Sequence, residues 1–279
     1  MMVLPTPEQK TLYAEDGVYL ARGFLSPALL EQARACFDFV RDNPSPSANT
    51  FYGGSDQEHS FDIEHPESWE IGGIKEFVEK AKIVDYLAEL FDSKHIWYFL
   101  DEYFTKEGGK TAYTPWHQDH SVIPIGGMQW VNLWISFESL PALNCLGVVR
   151  GSHRGKLYNG ASYRDSDDLT DPLYRDSDYE RVPDIRAELA KDPDSWNVAT
   201  YDIEPGDVLL VHPYALHGAG PTDERTPNRH TMVLRFYGDD AVYSPLPYTN
   251  FNNGGGMWPF LESVEPGAPF RSKKYHQLL

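Results

Sequence analysis

The stretch Thr114-Pro-Trp-His-Gln-Asp-His120 decides the fold, because it carries two of the residues that a metal site would need. His117 and Asp119 are two positions apart in an extended segment, where alternate side chains project to the same side. A third ligand, His217, lies about a hundred residues further on, in Pro213-Tyr-Ala-Leu-His-Gly-Ala-Gly220. Two histidines and one carboxylate on one face of an ion form the facial triad of non-haem Fe(II) oxygenases. The working hypothesis is therefore an iron oxygenase whose barrel brings two distant strands together.

Each of these motifs is a weak predictor when taken alone. A single His-x-Asp pair is more often a pair of satisfied polar residues than a metal site, and one distal histidine says less still. The joint pattern is more informative. A Glu204-Pro-Gly-Asp207 turn precedes the apolar strand Val208 to Val211, His217 follows that strand, and Arg229 comes twelve residues later.

Composition restricts the class of partner. The chain has 279 residues, a formal charge of −18 and a pI near 4.8, whereas nucleic acids and anionic membrane surfaces are bound by clustered Lys and Arg. We expect a small-molecule substrate, with no nucleic-acid or membrane partner. The first residues lack the features of a signal peptide, and no apolar run is long enough to span a membrane, so a cytoplasmic location is expected. Cys36 and Cys145 are expected to be two reduced thiols.

Periodicity predicts one domain over 1–279, with a helical cap at about 1–95 and a β core at about 96–240. In the cap, helical spacing predicts helices at 8–15, from Ser26 to Val40 and at 74–91, a strand at 18–22 and an irregular loop at 43–73. The core has short β-type runs separated by turn residues. Residues 155–198 break that pattern and are expected to be an insertion over the barrel mouth, and the tail at 241–279 is expected to be irregular. The predicted core strands are 96–105, 130–139, 147–150, 199–201, 207–212 and 230–237.

Six short motifs run through most of the chain: Asp16-Gly-Val-Tyr-Leu-Ala-Arg-Gly-Phe-Leu-Ser26, Trp116-His-Gln-Asp119, Leu133-Trp-Ile-Ser-Phe137, Gly147-Val-Val-Arg-Gly-Ser-His153, Pro205-Gly-Asp207, and His217-Gly-Ala-Gly220 with Arg229. In these motifs the chain resembles the phytanoyl-CoA dioxygenase-like family of Fe(II)- and 2-oxoglutarate-dependent oxygenases. The resemblance implies a mainly β fold, a double-stranded β-helix (jelly-roll or cupin-like) core with N-terminal helices packed outside. It also implies that His117, Asp119 and His217 bind iron and that Arg229 binds the distal carboxylate of 2-oxoglutarate.

Two arginines compete for that carboxylate. A guanidinium supplies a planar fork that lysine lacks, which suits a desolvated carboxylate in a barrel. Arg229 and Arg235 share one face of a predicted strand, but they lie about 20 Å apart along it, so only one of them reaches the co-substrate. The spacing from His217 that is typical of the family favours Arg229.

Several further residues are candidates for the co-substrate pocket. Trp134 shares a strand face with Trp130 and Asn132; it is either a pocket wall or an ordinary core aromatic. Gln118 and Thr114 flank the metal ligands and are candidates for hydrogen bonds to the co-substrate.

Other polar residues near the motifs have weaker roles. Tyr103 and Tyr113 are weaker pocket candidates, and His120 is left out because it should point away from Asp119. The segment Arg150-Gly-Ser-His-Arg154 is expected to be a structural turn.

One position departs from the family's pattern. Many relatives have Ser two residues after the distal histidine, where this chain has Ala219. Thr231 is a candidate to supply the hydroxyl that Ala219 lacks.

The resemblance implies an enzyme that uses Fe(II), 2-oxoglutarate as co-substrate and O2 to oxidise a C–H bond of a small-molecule metabolite. Hydroxylation is the expected outcome, with desaturation, epoxidation or cyclisation as alternative reactions of the same centre. Halogenation is disfavoured, because halogenating relatives replace the carboxylate of Asp119 with a small residue.

Two other function classes compete with this hypothesis. One is a non-catalytic jelly-roll protein that binds a metal or ligand, which an assay for succinate production would distinguish. The other is a cupin-type hydrolase or isomerase, which ranks last because the clustered His and Glu spacing of cupins is absent. The substrate is open, with a role in specialised metabolism as one interpretation, and the protein could be a monomer or a homodimer.

Overall fold

The computed structural model describes residues 4–44, 46, 49–51, 59–63, 66–108, 113–162, 168–244, 265–271 and 275–279. The helices are α1 (Pro7–Asp16), α2 (Pro27–Asp42), α3 (Ile74–Lys80), α4 (Ile83–Phe91) and α5 (Ile185–Lys191). The strands are β1 (Val18–Ala21), β2 (Asn49–Phe51), β3 (His59–Ile63), β4 (Trp97–Lys106), β5 (Thr114–His117), β6 (Ile125–Gly126), β7 (Trp130–Ser136), β8 (Leu146–Val149), β9 (Val198–Ala199), β10 (Val208–Val211), β11 (His217–Ala219), β12 (Arg229–Tyr237) and β13 (Val242–Tyr243).

Two antiparallel sheets face each other and enclose a barrel. The larger sheet has the strand order β1-β10-β7-β12-β4-β3-β2, and the smaller has the order β5-β11-β8-β9. Between β4 and β12 the chain passes repeatedly from one sheet to the other: β4, β7, β10 and β12 belong to the larger sheet, and β5, β8, β9 and β11 to the smaller. This winding is a double-stranded β-helix, so the predicted fold class is confirmed.

Strand β12 separates the barrel interior from the helical layer. Every residue of β12 is buried, and successive side chains point to opposite faces of the sheet. Val233 packs with Trp134 and with Val148 of the smaller sheet, whereas Met232 and Leu234 pack in the cluster that contains the helical residues. Alternate residues from Arg229 to Arg235 therefore face the barrel interior.

The helices cover the outer face of the larger sheet. Helix α2 begins as the sequence predicts, with Pro27 in its first turn and the Ser26 hydroxyl accepting a hydrogen bond from the Leu29 backbone N–H. Phe37 of α2, Phe77 of α3 and Leu87 of α4 are fully buried in the same cluster. Burial of each such side chain contributes about 1.5–3 kcal/mol, so this layer is a large part of the core.

Two predictions about the helical cap are wrong. Residues 74–91 form two helices, because Lys82 takes a left-handed conformation with φ 58° that interrupts the helical hydrogen bonds. Residues 43–73 are not wholly irregular: β2 pairs with β3, and β3 pairs with β4, which extends the larger sheet. These edge strands are too short for a clear alternating pattern in a segment rich in Pro, Ser, Asn and Gly.

The insertion packs partly on the outside of the smaller sheet. Ile185 of α5 lies in a cluster with Val149 and Leu216. The turn before the insertion is joined to α1 through hydrogen bonds from His153 to the Ala14 carbonyl and from Arg154 to the Glu15 carbonyl. This turn therefore holds the N-terminal helix against the barrel.

The described part of the tail returns to the barrel. Phe270 and Tyr275 pack with Tyr237 at the end of β12. Cys36 and Cys145 are buried, free thiols, as expected. Within the described ranges, no helix is both long enough and apolar enough to cross a membrane.

Candidate active site

The three predicted metal ligands meet at the pairing of β5 with β11. His117 lies opposite His217 in the antiparallel register, and the two imidazole centroids are 4.2 Å apart. Asp119 follows β5 in a short 3-10 turn, and its Oδ1 lies 3.5 Å from His117 Nε2 and 3.7 Å from His217 Nε2. One ligand atom from each residue lies within 4.8 Å of the others. We call these three residues the triad.

Both imidazoles present the correct nitrogen for metal binding. His117 Nδ1 lies 2.8 Å from the Pro115 carbonyl oxygen, and His217 Nδ1 lies 2.9 Å from the Ala215 carbonyl oxygen. Because a carbonyl only accepts, each Nδ1 carries a proton, and Nε2 is the ring nitrogen that faces Asp119. Burial, and then the neighbouring His117, lower the pKa of His217 to about 4, so that imidazole is neutral near pH 7. This donor set fits iron.

The two oxygens of Asp119 have different partners. Oδ1 faces the histidines, whereas Oδ2 accepts hydrogen bonds from Arg235 Nη1 at 2.6 Å and Asn132 Nδ2 at 2.7 Å. Burial alone would raise the pKa of Asp119, but Arg235 and His217 outweigh that effect and hold it well below its usual range. The carboxylate is therefore ionised and oriented before any metal binds.

Arg229 is buried at the start of β12, six residues before Arg235 on the same strand. Its Nη1 donates to the carbonyl oxygens of Asn144 at 2.7 Å and Gly220 at 3.2 Å, and its Nε has no hydrogen-bond partner among the described residues. Burial lowers the pKa of Arg229 to about 10. A desolvated guanidinium with an unused donor fits an incoming carboxylate.

Arg229 and Arg235 have different hydrogen-bond partners, and this difference distinguishes their roles. Arg235 Nη1 binds Asp119, and its Nε and Nη2 bind Glu102 Oε2, so its donors are already engaged by two carboxylates. Its guanidinium belongs to the metal end of the barrel. Arg229, which contacts backbone carbonyls, remains the candidate for the co-substrate.

Lys106 is a second cationic side chain beside Arg229, and the sequence analysis missed it. The two residues are register partners on β4 and β12, and Lys106 is only 3% exposed. Its Nζ lies 3.2 Å from Thr114 Oγ1, and Thr114 is the register partner of Ala219. Burial and the charge of Arg229 lower the pKa of Lys106 well below its usual range. An anion bound here would favour the charged ammonium.

Two other predicted pocket residues also face the barrel interior. Trp134 is 6% exposed and packs in the cluster between the sheets, which includes Val233. Thr231 is 1% exposed and lies between Arg229 and Val233 on the inward face of β12, opposite Phe104 of β4. The structure thus places Trp134, Thr231 and Thr114 in the same interior as Arg229.

Gln118 has another set of contacts. Its amide nitrogen donates to the carbonyls of Lys156 at 3.1 Å and Tyr214 at 2.7 Å, and its amide oxygen accepts from the Tyr158 N–H at 2.9 Å. These bonds tie the start of the insertion to the barrel. They use both amide N–H groups, so Gln118 has no donor left for the co-substrate in this arrangement.

The remaining polar candidates lie away from the triad. His120 turns aside, as expected, and its Nε2 lies 2.9 Å from the Tyr158 carbonyl oxygen. Tyr103 faces the helical layer, where it packs against Phe37. Tyr113 is 43% exposed, and the guanidinium of Arg186 lies over its ring.

Three residues of the barrel interior that lie near the triad or near Arg229 were not assigned to the site from the sequence. Glu102 and Lys106 lie on the same face of β4, four residues apart, and alternation along that strand could have found both. Asn132 was recognised only as a neighbour of Trp134. The missing information was which strands lie side by side, since β4 pairs with β12 across more than a hundred residues of chain.

Comparisons with known proteins indicate one family. The model of the phytanoyl-CoA dioxygenase family matches residues 13–228. A probable alpha-ketoglutarate-dependent hypophosphite dioxygenase from Stutzerimonas stutzeri is 25% identical over 187 residues, which cover 64% of this chain and 57% of that protein. The chain thus spans little more than half the length of this relative; alpha-ketoglutarate is 2-oxoglutarate.

Solved structures share the fold over almost the whole chain. The non-haem alpha-ketoglutarate-dependent carbocyclase SnoK from nogalamycin biosynthesis superposes with a TM-score of 0.69 at 18% identity, covering 99% of this chain and 97% of SnoK. The epimerase SnoN, solved with Fe3+, alpha-ketoglutarate and nogalamycin RO, gives a TM-score of 0.68 at 16% identity, covering 97% of each chain. At these identities the likeness shows the fold.

The fold and the His-Asp-His cluster are those expected of the 2-oxoglutarate-dependent non-haem iron oxygenases. Within that class, the match over residues 13–228 places the chain in the phytanoyl-CoA dioxygenase family. The family resemblance found from the sequence motifs is therefore confirmed.

Proposed function

We propose that this protein uses Fe(II), 2-oxoglutarate and O2 to oxidise a C–H bond of a small-molecule metabolite, with hydroxylation as the outcome. The observation that carries the proposal is the pairing of two features in one barrel. One is a triad in which the Nε2 atoms of both histidines face Asp119, and the other is a buried pair of basic side chains, Arg229 and Lys106. 2-Oxoglutarate would use both features, because its oxo acid end would bind the metal and its distal carboxylate would bind positive charge.

Each group in the site has a defined task in this scheme. His117, Asp119 and His217 would hold the metal with three ligand atoms, which leaves the remaining positions for small molecules. Arg229 and Lys106 would hold the distal carboxylate and fix the direction of the co-substrate. Trp134 and Phe104, which pack in the apolar cluster between the sheets, would exclude water from the barrel interior. When bound, iron and 2-oxoglutarate supply the oxidising chemistry, in which O2 is consumed and succinate and CO2 are released.

The first test uses absorption of the anaerobic complex. Fe(II) and 2-oxoglutarate together should give a metal-to-ligand charge-transfer band in the wild type. Replacing His117 or Asp119 with Ala should abolish it, since each removes one of three ligand atoms.

His95→Ala is the matched control, because His95 is an exposed histidine paired with Asp239 far from the triad. Its band should equal that of the wild type. A band that survives in both His117→Ala and Asp119→Ala would refute the assignment of the metal ligands.

The outcome of the reaction is a separate question with a separate test. The neighbours SnoK and SnoN are described as a carbocyclase and an epimerase, so cyclisation or epimerisation are alternative outcomes in this fold. A screen for metabolites that stimulate succinate release, followed by mass analysis, would distinguish them. Hydroxylation adds one oxygen atom to the product, cyclisation removes two hydrogens, and epimerisation leaves the mass unchanged. Absence of succinate with every metabolite tested would favour the non-catalytic binding protein.

A further inference from the structure

Four buried polar side chains form a network behind the triad. Arg235, Glu102, Asn132 and Asp119 are each 5% exposed or less. Arg235 Nη1 donates to both Asp119 Oδ2 and Asn132 Oδ1, and Asn132 Nδ2 donates to the same Asp119 oxygen. The other side of the guanidinium binds Glu102. The triad's metal-ligand atoms belong to other residues, so Glu102, Asn132 and Arg235 act on the triad only through Asp119.

Three neighbouring strands of the larger sheet set this network in place. Arg235 of β12 is the register partner of Asn132 on β7, and Val233, two residues earlier, is the partner of Glu102 on β4. Because the three strands are hydrogen-bonded side by side, the donors to Asp119 cannot shift independently. Asp119 itself lies outside the sheets, in the turn after β5, and would otherwise be free to rotate about its side-chain bonds.

The charges of the network require all of its members. Glu102 and Asp119 are two buried carboxylates close to one guanidinium, and burial of a second negative charge without that cation would be costly. With Arg235 bound to Oδ2, the other oxygen of Asp119 remains turned toward the histidines.

We infer that Arg235 is a positioning residue that makes Asp119 bind the metal through one oxygen, Oδ1. The argument rests on the proposed iron site. With Oδ2 engaged by two donors, the carboxylate cannot also bring that oxygen to the metal without breaking two buried hydrogen bonds. Because Asp119 Oδ2 does not bind the metal, one more coordination position is left for co-substrate or O2. The network therefore protects the open face of the triad.

The test is the charge-balanced variant Arg235→Met/Glu102→Met, which removes a positive and a negative charge together. Its melting temperature should fall, because buried Asp119 loses its cationic partner and keeps only Asn132 as a donor to Oδ2. Its affinity for Fe(II), measured by competition with a chromophoric chelator, should fall by about 10- to 100-fold, the usual effect of losing a partner of a metal ligand.

Infrared spectra of protein labelled with 13C at aspartate carboxylates give a second reading. On binding Zn(II) as a redox-inert probe, the wild type should show the wide separation of carboxylate stretches that marks one-oxygen binding. The double variant should show the narrow separation of two-oxygen binding. If Arg235 and Glu102 only stabilised the fold, the double variant would keep the wild-type affinity for Fe(II) and the wild-type separation of the carboxylate stretches.

Asn132→Leu is the second variant, in case the double variant does not fold. It removes one donor to Oδ2 and leaves Arg235 paired with Glu102, so a smaller loss of affinity, about tenfold, is expected. Lys10→Met/Glu89→Met removes an exposed ion pair between α1 and α4 in the helical layer and should bind metal as the wild type does. Wild-type affinity and carboxylate separation in the folded variants would overturn the inference. Failure of the wild type itself to bind Fe(II) would instead refute the proposed function.

Discussion

At the residue scale, Lys106 of β4 and Arg229 of β12 place two basic side chains side by side in the barrel interior. Lysine is almost never fully buried, so nothing local in the sequence marks Lys106 as an interior residue. His117 and Asp119, in contrast, could be predicted from alternation along an extended segment and from the metal chemistry of His and Asp. Prediction of Arg229 needed the spacing of the family as well.

Replacement of Lys106 by Met should weaken the binding of 2-oxoglutarate by about 10- to 100-fold, the usual value of a charged hydrogen bond. The matched ligand is 2-oxopentanoate, which has the same oxo acid end but no distal carboxylate. Its affinity should change little. Arg229→Met should show the same selectivity, and calorimetric titration of the anaerobic Fe(II) protein measures both ligands.

The exposed Lys80→Met on α3 is the control for loss of a lysine. Equal losses for the two oxo acids in Lys106→Met would mean that Lys106 supports the barrel in general and does not bind the distal carboxylate.

At the scale of elements, β12 contributes side chains both to the barrel interior and to the core under the helical layer. Its inward side chains include Arg229 and Arg235, and its outward side chains bind the helical layer. His230 is outward, and its two ring nitrogens lie 2.8 Å from Glu138 and 2.8 Å from Glu107. These contacts join the start of β12 to the segments that follow β7 and β4. An imidazole with two carboxylate partners needs a proton on both nitrogens.

The stability that His230 contributes should depend on pH. The carboxylate of Glu138, then that of Glu107, raise the pKa of His230 against the opposing effects of burial and of Arg34. The folded state therefore holds this proton more tightly than the unfolded chain. The contribution is complete below about pH 6.5, the unfolded value, and is lost as pH rises through the raised pKa.

Urea unfolding of the wild type and of His230→Gln at pH 6, 7, 8 and 9 measures this contribution. The difference in free energy of unfolding should shrink as pH rises. A difference that stays constant would show that the ring contributes by packing alone.

At the scale of the whole molecule, the fold class could be predicted from the sequence, but a helix break and two edge strands could not. Short β-type runs after a helical segment indicated a β core behind helices, and the family motifs indicated the winding. The break at Lys82 and the strands β2 and β3 depend on contacts with the rest of the molecule that override local propensity. The same is true of Gln118, whose polar amide suggested a ligand contact and instead holds the insertion in place.

Acid should destabilise the whole molecule through its buried neutral histidines. Burial, and then the neighbouring His153, lower the pKa of His212 to about 3. The unfolded chain takes up this proton near pH 6.5 and the folded protein does not, so stability is lost progressively as pH falls from about 6.5 toward 3. His212→Asn should remove part of that slope.

Chemical denaturation between pH 7 and pH 4 compares the slopes directly. The control is His95→Asn, in which an exposed histidine is lost and the steepness should match the wild type. An unchanged steepness in His212→Asn would assign the acid sensitivity to other groups.

The placement of Arg229 and Arg235 on one unbroken strand has a further consequence. Under the proposed function, β12 would fix both ends of the bound co-substrate, since Arg229 would hold the far carboxylate and Arg235 would orient Asp119 at the metal. Because β12 is hydrogen-bonded to β4 on one side and to β7 on the other, the two arginines cannot shift relative to each other along the strand. We therefore expect oxo acids with a longer or shorter chain than 2-oxoglutarate to bind less tightly.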